Sequence, residues 1–421
     1  MFSTLKNAWK IPDLRQRILY TFMMIAVFRM GSAVPVPGID SAKLAAAFAN
    51  NEDGLLGFFN LMSGGNFKTF TIFALGISPY ITASIVLNLL QIAFPSLEAL
   101  AREGEEGRKK IARYTRYLTV VLALIQGIGF SLGYFQRFFL NPGAFSTFIS
   151  VLTLTAGTAF LMYLGEKITE KGIGNGISLF IFAGIIARVP TTTLKTINNL
   201  KIGQVNLISI IIFCIVAIAI IAGVIFIQQG QRKIPVQYAK RVVGRKMYGG
   251  QSTHIPLKVN QAGVIPVIFA ISILMFPITI AQFFPSSGFA VFVGKWLNST
   301  SFLYNIFYGL LIFAFTFFYT NVTFNPIEVA DRLKTNGGFI PGIRPGKPTS
   351  EYLGKSLNKI TIVGALFLAA IAILPNFLGA LTNTNFSFGG TSLLIVVSVS
   401  LETMKQIEAQ MLMRHYEGFL S

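Results

Sequence analysis

The chain has 421 residues, of which 53% are hydrophobic and only 12% charged, with a formal net charge of +19. Soluble domains carry about a quarter charged residues, so this balance points to a polytopic membrane protein. A single cysteine (Cys214) and two histidines (His254, His415) exclude a disulfide framework and a zinc or haem constellation, so no metal or other cofactor is expected.

The N-terminal stretch MFSTLKNAWKIPDLRQR is basic and amphipathic and leads into an apolar run long enough to span, so no cleavable signal peptide is expected. Apolar segments follow at about 18–36, 71–94, 118–135, 145–164 and 177–189, then at 205–227, 262–284, 302–324, 360–377 and 391–404. Between the first two, LLGFFNLMSGG places Leu55, Phe58, Phe59 and Met62 at i, i+3, i+4 and i+7, ahead of Gly64 and Gly65. That is about 12 Å of helix against roughly 30 Å of hydrocarbon, too short to cross. Its amphipathicity suits a helix lying in the outer interface and a helix folded back over a pore equally well. The second segment is interrupted by Gly76-Ile77-Ser78-Pro79, where proline is expected to bend the span. The seventh carries Pro266 and Pro277. The fifth and tenth are short and follow the glycine clusters GIGNG and FGG.

An even number of spans puts both termini on one side. Of the 35 Lys and Arg, 27 fall in the termini and alternate loops of that side, 7 in the opposite loops, and Arg29 lies within a span. The bias makes the N- and C-terminal side cytoplasmic. Two cytoplasmic loops, 228–261 and 325–359, are too long for connectors. The first has seven Lys or Arg, including Arg232, Lys233, Lys240, Arg241, Arg245 and Lys246, and no acid. Such a platform suits a large acidic partner better than a plain anchoring collar. Arg245 and Arg344 sit in Gly/Pro settings, VVGRKMYGG and PGIRPG, that suit a fixed docking cation.

Catalytic chemistry is missing. All 16 Asp and Glu lie in loops or at span ends, whereas ion-coupled transporters need carboxylates near mid-bilayer. GIGNG lacks the dinucleotide spacing, and in PGIRPGKPT Pro341 and Pro348 occupy the first glycine and the Ser/Thr position of a Walker loop. No nucleophile–base pair is visible, so the protein is not expected to be an enzyme and its energy must come from a partner. The competing classes are a secondary transporter or flippase and a structural scaffold.

FALGISPYITASIVLNLL, REGEEGRKKIARYTRYLT, LGEKITEKGIGNGISLFIFAGI, GQRKIPVQYAKR, QSTHIPLKVNQAGVIPVIFA, GFIPGIRPG and FGGTSLLIV closely resemble, in order, blocks of the SecY/SEC61-alpha family of protein translocation channels. The resemblance implies an all-α integral membrane protein of ten transmembrane helices in two inverted, pseudo-symmetric five-helix halves around a central pore. The halves would be 1–190 and 205–421, joined by an external hinge loop at 191–204. By position in these motifs, Ile77, Ile81, Ile181, Ile268 and Ile395 would form a hydrophobic pore ring. Leu55, Phe58, Phe59, Met62, Gly64 and Gly65 would form a plug, its two glycines a flexible hinge. Pro79, Asn88 and Asn260 would belong to a lateral gate, held by a hydrogen bond across it. The implied partners are the membrane subunits SecE and SecG, the motor ATPase SecA, the ribosome, secretory preproteins with their signal sequences, and the lipid bilayer, here the bacterial cell membrane.

Overall fold

The computed structural model describes residues 8–49, 60, 63–203, 207–238, 241–243, 246–248, 252–283, 287–297, 301–382 and 390–417. Helix α1 (Pro12–Gly31) opens with Pro12 at its first turn and Asp13 beside it, and closes with Arg29 in its last turn. All three match the orphan amides and dipole of a helix. Arg29, which the sequence reading places within a span, is exposed in the last turn of this helix. A short α2 (Ser41–Ala49) follows, capped by Asp40, whose Oδ1 accepts from the Ala42 and Lys43 amides at 3.1 Å each.

The second span departs from expectation. Residues 63–77 form consecutive turns with no regular helix, and α3 runs Ser78–Ala93 with Pro79 in its first turn. Proline there starts a helix, because its missing N–H is one of the orphans anyway, and so it does not bend one. The bend comes later: α4 (Pro95–Arg102) turns by 107° from α3 at Phe94, held extended by the following proline.

Next come α5 (Glu105–Gly133), α6 (Ala144–Lys171), α7 (Gly176–Lys201) and α8 (Leu207–Gln229). At 1.5 Å per residue, α5 and α6 exceed the hydrocarbon thickness, so their ends project. Arg116 Nε bonds Glu166 Oε1 at 2.8 Å between the two helices, and towards their opposite ends Ser131 and Ser150 share a buried 2.9 Å hydrogen bond. Helix α7 runs through Pro190 to Lys201, so the stretch expected as a hinge loop is helical up to that residue, with Ile202 and Gly203 in the turn.

The C-terminal part holds α9 (Ile265–Phe283), α10 (Gly288–Trp296), α11 (Phe302–Thr323), α12 (Pro326–Thr335), α13 (Lys347–Thr382) and α14 (Gly390–Glu417). The tenth span, expected to be short, is therefore part of a long helix. Among the described residues, α5, α6, α7, α8, α11 and α13 begin the six helical stretches long and apolar enough to cross a membrane, and α3 with α4 would make a seventh. The sequence suggested ten. In α1 the charges at both ends dilute any apolar window, in α14 Glu402, Lys405 and Glu408 do the same, and the apolar described stretch of α9 is short.

The chain is also not all-helical. Strands β1 (Gln231–Tyr238), β4 (Ser252–Lys258) and β5 (Gly338–Phe339) form an antiparallel sheet in the order β4-β1-β5, and β2 (Arg241–Val243) pairs with β3 (Lys246–Tyr248). QRKIPVQY alternates, with Ile234 and Val236 buried and their neighbours exposed, the period of a half-buried strand. Pro235 lies opposite His254 and Pro256 opposite Lys233, two pairs of the same parity. The ladder bonds can pass through the intervening pairs, leaving both missing N–H groups facing outward. Ile234, Val236 and Leu257 pack with Leu333, Ile340, Leu353 and Leu357, so the two long loops fold together around one apolar core.

Helix α9 packs against α3, α5 and α11; α14 packs against α7, α8 and α13; α1 packs against α6 and α7. One continuous apolar core runs through this arrangement.

Candidate functional site

The chemistry-bearing groups of this chain are few, so the site is defined by where apolar and polar atoms meet between helices. Ile77, the residue before α3, and Ile81 in its first turn are 6% and 7% exposed. Ile181 on α7, Ile268 on α9 and Ile395 on α14 are 5%, 8% and 2% exposed, and all five belong to the same core cluster. Four separate helices thus contribute β-branched aliphatic side chains, stiff at χ1, to the same extended apolar core.

Residues 63–77 lead into this region. The Gly65 amide donates to the Asn60 carbonyl at 2.7 Å, and the Lys68 amide to Asn60 Oδ1 at 3.0 Å. The Val36 amide donates to the Phe70 carbonyl, and the Ile72 amide to the Val34 carbonyl. Gly64 has φ 69° and Gly65 φ 97°, a region open to glycine. Gly64 is buried, and a Cβ placed on it would lie 2.7 Å from the Cα of Gly184. Its role here is close backbone approach, where the sequence had suggested a free hinge. Leu55, Phe58, Phe59 and Met62 lie outside the described residues.

Pro79 is buried in the first turn of α3, and Asn88 is half-buried on the same helix. Asn260, 6% exposed, lies before α9 and donates its Nδ2 to the Gly263 carbonyl at 3.0 Å. No hydrogen bond joins Asn88 to Asn260: the bond the Asn260 amide makes is to its own loop, where Gly263 has φ 63°. Asn260 Oδ1 and the neighbouring Gln261 Oε1 are buried without a protein partner. The structure brings α3 and α9 side by side but does not link them through this pair.

The contact between α7 and α14 has the opposite character. Asn175 Oδ1 caps α7 by accepting from Ile177 and Ser178. The Ile173 amide donates to Thr21 Oγ1 at 3.0 Å and the Gly174 amide to Gln406 Oε1 at 2.7 Å. Ala8, Leu14, Ile173 and Ile407 form a small apolar cluster beside these bonds. GIGNG therefore works as a joint between α1, α7 and α14, a role that sequence reasoning missed. The signal was there in part: glycines offering free backbone amides ahead of a capping Asn.

Arg232 and Lys233 are exposed on β1, and Arg344 is exposed on a turn whose carbonyl accepts from Thr349 Oγ1 at 2.8 Å. Arg241 and Lys246 fall on the paired strands β2 and β3, while Lys240 and Arg245 lie outside the described residues. No group of His, Cys, Asp and Glu among the described residues could hold a metal ion.

The SecY family model matches residues 71–404. The protein translocase subunit SecY of Halalkalibacterium halodurans is 49% identical over 434 aligned positions, covering 100% of both chains. In fold the chain is similar to a solved SecY protein whose plug domain is described as stabilising the closed state of the translocation channel and maintaining a membrane seal (TM-score 0.65, 20% identity, 96% of each chain). It is similar also to Sec61 in a canine ribosome–channel complex from the endoplasmic reticulum (TM-score 0.63, 19% identity, 96% of each chain).

Proposed function

The chain belongs to the SecY family, and from that premise we propose that it is the pore-forming subunit of a protein-conducting channel. It passes unfolded secretory polypeptides across the membrane and releases apolar segments sideways into lipid. The observation that carries this reading is the burial of Ile77, Ile81, Ile181, Ile268 and Ile395, drawn from four helices, within one apolar core. A pore for any polypeptide must hold back ions when idle and yet bind no particular side chain. Branched aliphatic groups meet both demands, sealing by dewetting and parting without specific bonds to break.

In this reading ten helices form two inverted halves, 1–190 and 205–421, hinged within 191–204, and both termini face the cytoplasm of a bacterial cell. The charge bias of 27 to 7 supports the orientation. The plug is the amphipathic stretch from Leu55 to Met62, supported by its spacing and by the plug domain of the similar SecY structure. The lateral gate lies where α9 meets α3 and α5. Two orphan acceptors, Asn260 Oδ1 and Gln261 Oε1, are buried at the start of α9, each worth about 1–3 kcal/mol against the closed arrangement. At the α7–α14 contact, by contrast, the Ile173 and Gly174 amides both have partners.

SecE and SecG complete the channel. The exposed Arg232, Lys233 and Arg344 present the lobe to SecA or to a ribosome, and a ribosome-bound Sec61 is among the similar structures. The chain has no catalytic site of its own in this reading, and the partner supplies the energy.

Single-channel conductance in planar bilayers, without a translocating chain, tests the function. Ile81→Asn with Ile268→Asn should leak at rest, because amide groups hold water in the constriction. Removal of residues 55–62 should also leak while translocation continues. A double asparagine variant as silent as the parent would mean that the seal lies elsewhere.

A further inference from the structure

Residues 63–77 are neither helix nor strand, yet Phe67, Phe70 and Phe73 within them are each 1% exposed or less. Phe70 adopts φ 43°, a left-handed conformation that a bulky residue takes only when its surroundings impose it. Its ring centroid lies 3.8 Å from that of Phe135. Three glycines on three helices receive the segment. A Cβ on Gly184 of α7 would lie 2.9 Å from the Gly64 Cα. On Gly157 of α6 it would lie 2.0 Å from the Ile72 carbonyl oxygen, and on Gly31 of α1 2.1 Å from Phe73 Cε2. Real Cβ atoms do not approach other heavy atoms so closely, so any larger residue must push the segment or the helix. The segment ends at Ile77, and Gly184 follows Ile181 at i+3, on the same face of α7.

We propose that Gly31, Gly157 and Gly184 are positioning residues for the constriction. They form a socket that seats residues 63–77, and the seat sets where Ile77 and Ile81 stand relative to Ile181. The proposal rests on the reading of the five isoleucines as the seal. A methyl group added in the socket shifts the seat, the aliphatic ring closes imperfectly, and the idle channel admits ions. The effect reaches the pore from positions that do not line it.

The test uses the full channel complex reconstituted in planar bilayers with no translocating chain. Gly184→Ala and Gly31→Ala should each raise the frequency of resting openings roughly tenfold or more, with membrane insertion and preprotein translocation retained. Phe73→Leu removes the ring atoms that a methyl on Gly31 would strike. It should silence Gly31→Ala again and leave Gly184→Ala leaking. A general loss of stability would be deepened, not cured, by a second truncation in the core. Ile81→Ser is the reference for the seal itself. If Ile81→Ser leaks while the inserted alanine variants stay silent, the socket is overturned and the seal stands; if Ile81→Ser is silent, the reading of the ring falls and the socket with it. Should Gly31→Ala fail to accumulate, recovery of the protein by Phe73→Leu supports the socket, and no recovery overturns it.

Discussion

The Gly174 amide donates to Gln406 Oε1 at 2.7 Å, across 232 positions of sequence. With the Ile173 amide on Thr21 Oγ1, this bond ties the first and last long helices to the loop that starts α7. Gly174 contributes no side chain there; what it offers is a backbone amide, buried with its neighbours, whose partner must come from elsewhere in the fold.

Gln406→Ala should therefore destabilise the protein by about 0.5–1.5 kcal/mol, the net worth of a partly buried hydrogen bond. Gln406→Glu keeps an acceptor and should stay near the parent. Thermal unfolding in detergent, followed by fluorescence, measures both; an alanine variant as stable as the parent would show the bond to be idle.

At the proposed gate, the two asparagines should behave differently. Asn260 holds its own turn through Gly263, so Asn260→Leu loosens the start of α9 and removes one orphan acceptor at the same time. Asn88 lies half-buried on α3 with no bond to Asn260. Tolerance of weak signal sequences should change with Asn260→Leu and hardly at all with Asn88→Leu. Equal effects would restore the idea of a direct pair.

Arg344 is exposed, and the Thr349 hydroxyl donates to its carbonyl, which fixes the backbone that carries it. Arg344→Glu should weaken binding of SecA or ribosomes by tenfold or more, at about 1.4 kcal/mol per decade. Arg344→Lys should lose less. Sedimentation with inverted vesicles reads both, and unchanged binding in Arg344→Glu would remove this residue from the docking surface.

Backbone bonds from Lys43, the largest cause, and from Ala42 hold the Asp40 carboxyl below its usual range. A lowered folded pKa means that the cap is in place at neutral pH and fades as pH falls through that lowered value. Hydrogen exchange of the Ala42 and Lys43 amides, corrected for intrinsic rates, should speed up in that acid window. Asp40→Ala should show the same speed at pH 7, whereas Asp40→Asn should stay protected throughout.

Much of the architecture was legible in the residues. The helical starts at Pro12, Gly176, Gly288 and Pro326 follow caps and prolines that act within one turn. The lobe built by the two long loops was not. Its strands alternate over only a few residues, and its core joins Ile234 to Leu353, which no local pattern connects. Pro79 was read as a bend because the apolar run continued upstream of it, although apolar character alone does not make residues 71–77 helical.

By itself, then, the sequence determined the membrane class and the family, since these depend on composition and on contiguous motifs. The tertiary structure alone decided that Asn260 bonds Gly263 and leaves Asn88 aside, that Gly64 meets Gly184 backbone to backbone, and that Gln406 completes GIGNG. Each of these is a contact between groups whose own residue types are compatible with many partners. Only the packing of the helices brings one partner within about 3 Å and excludes the rest.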